Sequence, residues 1–193
     1  MIRPPELSEP EQDMLVETAR RAVHRGLVHR RFIPPVVDAT DSDHPRLLAP
    51  GASFVTLRRD EQLLGCIGTL EPVRPLIADV AENAYRAAFA DPRLPAVTPS
   101  DYEEMSVKVS VLSSLEALEV ADRGALLAEL RPRVDGLLVV AGHRRGTFLP
   151  SVWEQIGDRE WFLDLLWQKA GLLPGEWPRD LRVFRYETLE FGD

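Results

Sequence analysis

Apolar residues along this chain recur at two periods, three to four residues and two, and each change of period marks a change of element. Leu15, Ala19, Ala22 and Val23 keep helical spacing over about Pro10–Arg31, with Arg20, Arg21 and Arg25 as polar neighbours. Ser8 followed by Glu11 gives that helix a capping-box start. The run Gly51–Leu57, the charged turn Arg58–Gln62 and the run Leu63–Leu70 read as a β-hairpin. A second helix opens at Pro75 and runs to about Ala90, with Leu76, Val80, Ala84, Ala87 and Ala88 inward; Asp91-Pro92 stops it, and a proline-rich turn with Pro92, Pro95 and Pro99 follows. Met105, Val107, Val109 and Val111 then alternate with Ser106, Lys108, Ser110 and Leu112, which predicts a strand with one apolar and one largely polar face.

The second half uses the same two periods without an internal repeat. A short helix around Asp122–Leu130 precedes a hairpin of Gly136–Ala141 and Gly146–Leu149 across the turn Gly142–Arg145. A helix over Arg159–Ala170 is capped by Asp158, ended by Gly171 and carries Phe162, Leu163, Leu166 and Trp167 inward. The tail Leu181–Phe191 alternates as one final strand that must pair back with an earlier one. Pro34–Pro50, with Asp38, Thr40, Asp41, Ser42 and Asp43 among its prolines, reads as an irregular connection. Hairpins and single strands separated by helices do not give a β-α-β alternation. The expected class is α+β, with mainly antiparallel sheets flanked by helices.

Charge and composition narrow the function. A net charge of −8 argues against a nucleic-acid footprint, which needs a concentrated basic surface. The single cysteine cannot close an internal disulfide, which fits a reducing, cytoplasmic setting. Met1–Glu6 has no apolar run of the kind a signal peptide needs, and no 18-residue apolar stretch predicts a membrane span. His24 and His29 are five apart, about 140° around a helix, so they are expected at the surface rather than as a ligand pair. Metal-ligand spacings, a phosphate loop and a nucleophile elbow are missing from the sequence, so no metal or cofactor is expected.

Candidate chemistry concentrates in Glu61–Leu70. Gly65 and Gly68 interrupt a strand, which marks a bulge or a close approach by a ligand, a partner or the chain's own backbone. Cys66 between them is a candidate nucleophile, weighed against a thiol that merely packs. Thr69 follows one step on. Lys108 and Ser110 lie on the polar strand face, a solvated face by default and the wall of a groove with Thr69 if functional. Glu82 and Asn83 are exposed by default and turn toward the site if the second helix aims them at the hairpin. Trp153, Trp161 and Trp177 offer the aromatic patch that a pure interaction module would use.

These pieces together resemble the AMMECR domain family, whose prokaryotic members are called AmmeMemoRadiSam system protein A. The matching stretches are Gly65–Leu70, Val80–Ala84, Ala87–Arg93, Val109–Ser113, Val134–Leu137, Gly146–Trp153, Lys169–Leu172 and Val183–Tyr186. The resemblance implies one AMMECR-type domain over residues 1–193, in two unequal lobes with a cleft between them and with the N- and C-terminal segments packing together. It implies an accessory protein of a pathway with a Memo-like protein and a radical SAM protein, binding a partner or small substrate near the Gly-Cys-Ile-Gly-Thr hairpin. The alternatives are an enzyme that uses Cys66 as nucleophile and a protein-interaction module. Leu64 stands where the family usually has arginine and Trp167 where it often has cysteine. With no cation legible beside it, Cys66 is expected to label slowly with iodoacetamide.

Overall fold

The computed structural model describes residues 2–3, 5–35 and 44–193. Two compact units divide the chain, one holding Pro5–Leu112 with Leu189–Asp193 and the other Ser113–Thr188 with residues 1–4. The first contains α1 (Glu9–His29), α2 (Pro45–Leu48), β1 (Pro50–Gly51), β2 (Ser53–Arg59), β3 (Gln62–Gly68), β4 (Arg74–Pro75), α3 (Leu76–Phe89), α4 (Pro99–Glu104) and β5 (Ser106–Leu112). The second contains β6 (Glu116–Leu118), α5 (Arg123–Glu129), β7 (Gly136–Ala141), β8 (Arg144–Phe148), a 3₁₀ turn at Pro150–Glu154, α6 (Arg159–Ala170) and β9 (Arg182–Tyr186). The final strand, β10 (Thr188–Gly192), returns to the first unit.

In the first unit a four-stranded sheet runs in the order β10-β5-β2-β3, with β2 antiparallel to both of its neighbours. Val55, Leu57, Val107 and Val109 form its apolar face, and α1 and α3 cover it with Leu15, Ala19, Val23, Val80, Ala84 and Ala87. The small residues of α3 let the helix approach closely. A Cβ at Gly65 would lie 1.9 Å from the Ala87 carbonyl oxygen, a contact that no side chain survives. The α1 start is as its sequence predicts: Ser8 Oγ accepts from Glu11 N–H, and the Glu11 carboxylate accepts from Ser8 N–H at 2.9 Å. The second unit builds a sheet in the order β6-β9-β7-β8 over α6, with Leu137, Val139, Phe162, Leu166 and Trp167 in its core. Within it Arg131 binds the fully buried Asp135 carboxylate at 2.5 Å and Glu187 at 3.0 Å.

Five readings need correction. The tail is two strands, because Glu187 leaves the ladder: its N–H donates to Ser113 Oγ and its carbonyl accepts from Ser113 N–H, both at 2.9 Å. The proline-rich stretch before β5 contains α4, which Thr98 and Asp101 cap reciprocally with Pro99 at the first helical position. The aromatic patch does not form. Trp153 is buried, stacks on Phe162 at 3.8 Å and donates its indole N–H to the Asp135 carbonyl, while Trp177 is half-buried against Trp167. The polar face of β5 is not simply solvated, because Ser110 is only 2% exposed. Of the connection read as irregular over Pro34–Pro50, residues 36–43 lie outside the described residues, and Pro45–Leu48 form the short helix α2, with Pro45 at its start.

The seat of α3 on β3 yields a ranked prediction. Gly65→Ala drives a methyl into helix backbone and should cost at least about 3 kcal/mol. Gly68→Ala meets the root of the half-buried Phe54 ring, 2.2 Å from its Cγ, which must change rotamer but is not backbone, and should cost less, about 2 kcal/mol. Urea unfolding of both variants measures the order, and a Gly65 variant as stable as wild type would show that the helix seat is not fixed.

Candidate functional site

The β2–β3 hairpin turns at Asp60-Glu61, where Asp60 takes a left-handed φ of 51°. Its register steps from Leu57↔Gly65 to Arg58↔Leu63, so Leu64 is an extra residue in the ladder. That bulge carries the Leu64 side chain into the core, 7% exposed. Gly65 faces α3, and Cys66 therefore faces the other side of the sheet.

Cys66 is half-buried. The Thr56 hydroxyl donates to its Sγ at 3.3 Å from the neighbouring strand. At the outer edge of β3 the Cys66 N–H donates to Asp91 Oδ2 at 3.0 Å, and the Cys66 carbonyl accepts from Arg93 Nη2 at 2.9 Å. Arg93 also grips Asp91 with both arms of its guanidinium, at 2.8 and 2.7 Å. The turn after α3 thus closes the strand edge at the thiol. The Arg93 hydrogen bonds, joined by those from backbone N–H groups, hold the Asp91 carboxyl well below the usual carboxylate range. Arg93 in turn is raised above the ordinary guanidinium value, chiefly by Asp91, with the Cys66 side chain adding to it.

Across the sheet, Thr56 stands opposite Cys66 on one side and Lys108 on the other. Lys108 is ion-paired to Glu190 of β10, and Ser110 donates to the same carboxylate at 3.1 Å. Arg93, Cys66, Thr56, Lys108 and Glu190 therefore form a polar row on the sheet face that α3 does not cover.

A second polar cluster closes the end of the hairpin. Asp79 of α3 is fully buried, and its Oδ2 accepts from Ser53 N–H at 2.9 Å, Ser53 Oγ at 2.7 Å, Thr69 Oγ1 at 2.7 Å and Asn83 Nδ2 at 2.9 Å. Burial pushes the Asp79 carboxyl up, and the Thr69 and Ser53 hydrogen bonds and the more distant Arg74, at 3.5 Å, only partly offset this. Arg74 is ion-paired to Glu82 at the rim.

The sequence candidates divide accordingly. Thr69, Asn83 and, through Arg74, Glu82 gather around Asp79; Cys66, Lys108 and Ser110 belong to the sheet-face row. Thr69 turns its hydroxyl to Asp79, so the groove of Lys108 and Ser110 is not completed by Thr69. Gly65 and Gly68 accommodate the chain's own Ala87 and Phe54. Sequence reasoning missed Asp91, Arg93, Ser53, Asp79, Thr56 and Glu190. The one local signal for the first two was an acidic and a basic residue flanking Pro92, at the stop of a helix.

The AMMECR1 family model matches residues 16–191. The chain belongs to the AMMECR1 family. A protein of Methanothermobacter thermautotrophicus is 38% identical, over 97% of this chain and 96% of its own length. Protein TK0174 of Thermococcus kodakarensis is 36% identical, over 94% and 89%. The crystal structure of the uncharacterized protein PH0010 from Pyrococcus horikoshii superposes with a TM-score of 0.82 at 34% identity, covering 93% of this chain and 89% of that one. The α+β fold of this AMMECR1 chain is thus shared with a solved structure.

Asp91 supplies a test of the site's electrostatics. A carboxyl lowered in the folded state stabilises above the unfolded value near pH 3.9 and loses that contribution as pH falls toward its native value. Asp91→Asn should therefore destabilise by about 2 kcal/mol at pH 7, a figure discounted because Arg93 is exposed. The gap from wild type should narrow below about pH 4. Asp79 acts with the opposite sign, its ionisation costing stability as pH rises through its raised native value, but it is present in both proteins and cancels. Urea titrations at pH 7 and pH 3 measure the gap; a constant gap would refute the assignment.

Proposed function

We propose that this protein is an accessory component that acts with a Memo-like protein and a radical SAM protein, and that it holds a partner or small substrate on the sheet face around Cys66. The observation that carries the reading is the polar row Arg93–Cys66–Thr56–Lys108–Glu190. Its cations are matched within the row or beside it, Lys108 by Glu190 and Arg93 by Asp91. The face therefore presents closely set donors and acceptors around a thiol with little net field. Such a mosaic suits a protein surface that docks by complementarity better than one that captures a free ion. Biolayer interferometry with the purified Memo-like and radical SAM proteins of the same organism is the direct test. Lys108→Ala and Thr56→Arg should each weaken the complex about tenfold or more while circular dichroism is unchanged. Undiminished affinity in both variants moves the site elsewhere, and no binding to either protein removes the reading.

One observation favours a second reading, an enzyme with Cys66 as nucleophile: Thr56 donates to the sulfur and Arg93 lies beside it. Arg93 is already neutralised by Asp91, so its cation is not at the thiol's sole disposal. Iodoacetamide labelling of the native protein from pH 6 to pH 9 separates the two readings. Slow labelling at pH 6 is the expected result; rapid, stoichiometric labelling there places the enzyme first.

A further inference from the structure

A pocket of about 130 Å³ lies between α1 and α3, within the first unit. Thr18, Arg21, Ala22 and Arg25 line it from one stripe of α1, Ile77 and Ala81 from α3, and Ile33 and Pro35 from the segment that follows α1. Ile77 and Ala81 sit roughly opposite Asp79 and Asn83 around the helix, so the pocket is distinct from the polar cluster at the hairpin end. It shares no residue with the row around Cys66.

Two groups in it are unexplained by the fold. Thr18 is 3% exposed, and among the described residues its Oγ1 is the one buried side-chain polar atom without a hydrogen-bond partner. Buried hydroxyls are normally satisfied, and a lone orphan calls for a cause. Arg25 is half-buried and meets no carboxylate among the described residues. Every other half-buried arginine described does so, from Arg20 on Asp193 to Arg185 on Glu116. Arg21 at the rim has only a loose pairing with Glu17, at 3.6 Å with both side chains about 60% exposed. A single water would occupy roughly 10–15 Å³ by the same measure, so the space is far larger than an orphan hydroxyl needs for hydration alone.

We infer that this pocket binds a small organic anion, a short hydroxy acid in chemical class. The carboxylate lies on Arg25 and Arg21, the short apolar body packs on Ile77, Ala22 and Ala81, and the hydroxyl at the far end bonds Thr18. A guanidinium fork recognises a carboxylate in two directions at once, and the apolar walls exclude the water that would compete for it. The inference does not rest on the reading of the Cys66 face.

The test is a pair of titrations of the ¹⁵N-labelled full chain, with 4-hydroxybutyrate and with butyrate, following the Thr18 and Ala22 amides and the Arg25 side-chain N–H. 4-Hydroxybutyrate should give saturable shifts at all three positions. Arg25→Gln should weaken both probes about tenfold or more. Thr18→Val keeps the shape and removes only the orphan hydroxyl, so it should fold, weaken 4-hydroxybutyrate roughly three- to tenfold and leave butyrate unchanged. Lys108→Ala should alter neither titration, which separates this site from the sheet face. The inference is overturned if no shift saturates well past the millimolar range, if Arg25→Gln has no effect, or if Thr18→Val weakens both probes alike.

Discussion

Helix α3 lies flat on β3 because position 65 has no side chain. The Ala87 carbonyl fills the volume a Cβ would take, 1.9 Å from where it would stand. Much of the first unit is set by that contact. Cys66, the next residue, must point away from the helix by the alternation of the strand. Its backbone must meet the chain as it leaves α3, and there Asp91 and Arg93 take its N–H and its carbonyl. At the other end of the helix Asp79 fastens to Ser53 and Thr69, the start of β2 and the residue beyond β3. One close approach and two carboxylates thus fix the hairpin, the helix and the thiol together.

The two carboxylates are both buried, yet they respond in opposite ways. Asp91 receives a full guanidinium and is held ionised. Asp79 receives hydroxyls, one amide and one backbone N–H, with Arg74 at 3.5 Å and shared with Glu82, so burial prevails and its carboxyl is pushed up. Neutral donors satisfy lone pairs without compensating the loss of hydration as a cation does. This places a reluctantly charged group inside the hairpin anchor and a firmly charged one beside the thiol.

The elements were legible where a local rule was strong. Ser8 with Glu11, Asp158 with Gly171, and the alternation of β5 each set an element's place to within a residue or two. What failed depended on contacts distant in sequence. The tail alternates without interruption, and only the bonds of Glu187 to Ser113 split it. Trp153 looks like a surface aromatic until Phe162 stacks on it. The site was half legible. Its glycines and cysteine marked the hairpin, but the cation beside the thiol comes from position 93, beyond the length of a whole helix. The position just before Gly65 was the wrong place to look, since the bulge turns Leu64 into the core. Ser53 and Asp79 carried no pattern at all, because a buried carboxylate in a helix resembles a solvated one until its partners are known.

In an acidic chain the informative cations are those that the chain's own carboxylates leave alone. Around Cys66 each cation is spoken for, so a binder there meets hydrogen bonds and shape rather than charge, and its affinity should depend little on salt. Between α1 and α3 the reverse holds: Arg25 has no carboxylate among the described residues and Arg21 has a loose one. A carboxylate ligand there would pair with Arg25, and ionic strength would compete with it directly. Both surfaces depend on α3, whose one face carries Asp79 and Asn83 to the hairpin and whose other face walls the pocket with Ile77 and Ala81. Eight of the fourteen residues of α3 are buried, so the hairpin anchor and the pocket wall occupy opposite sides of one well-packed helix.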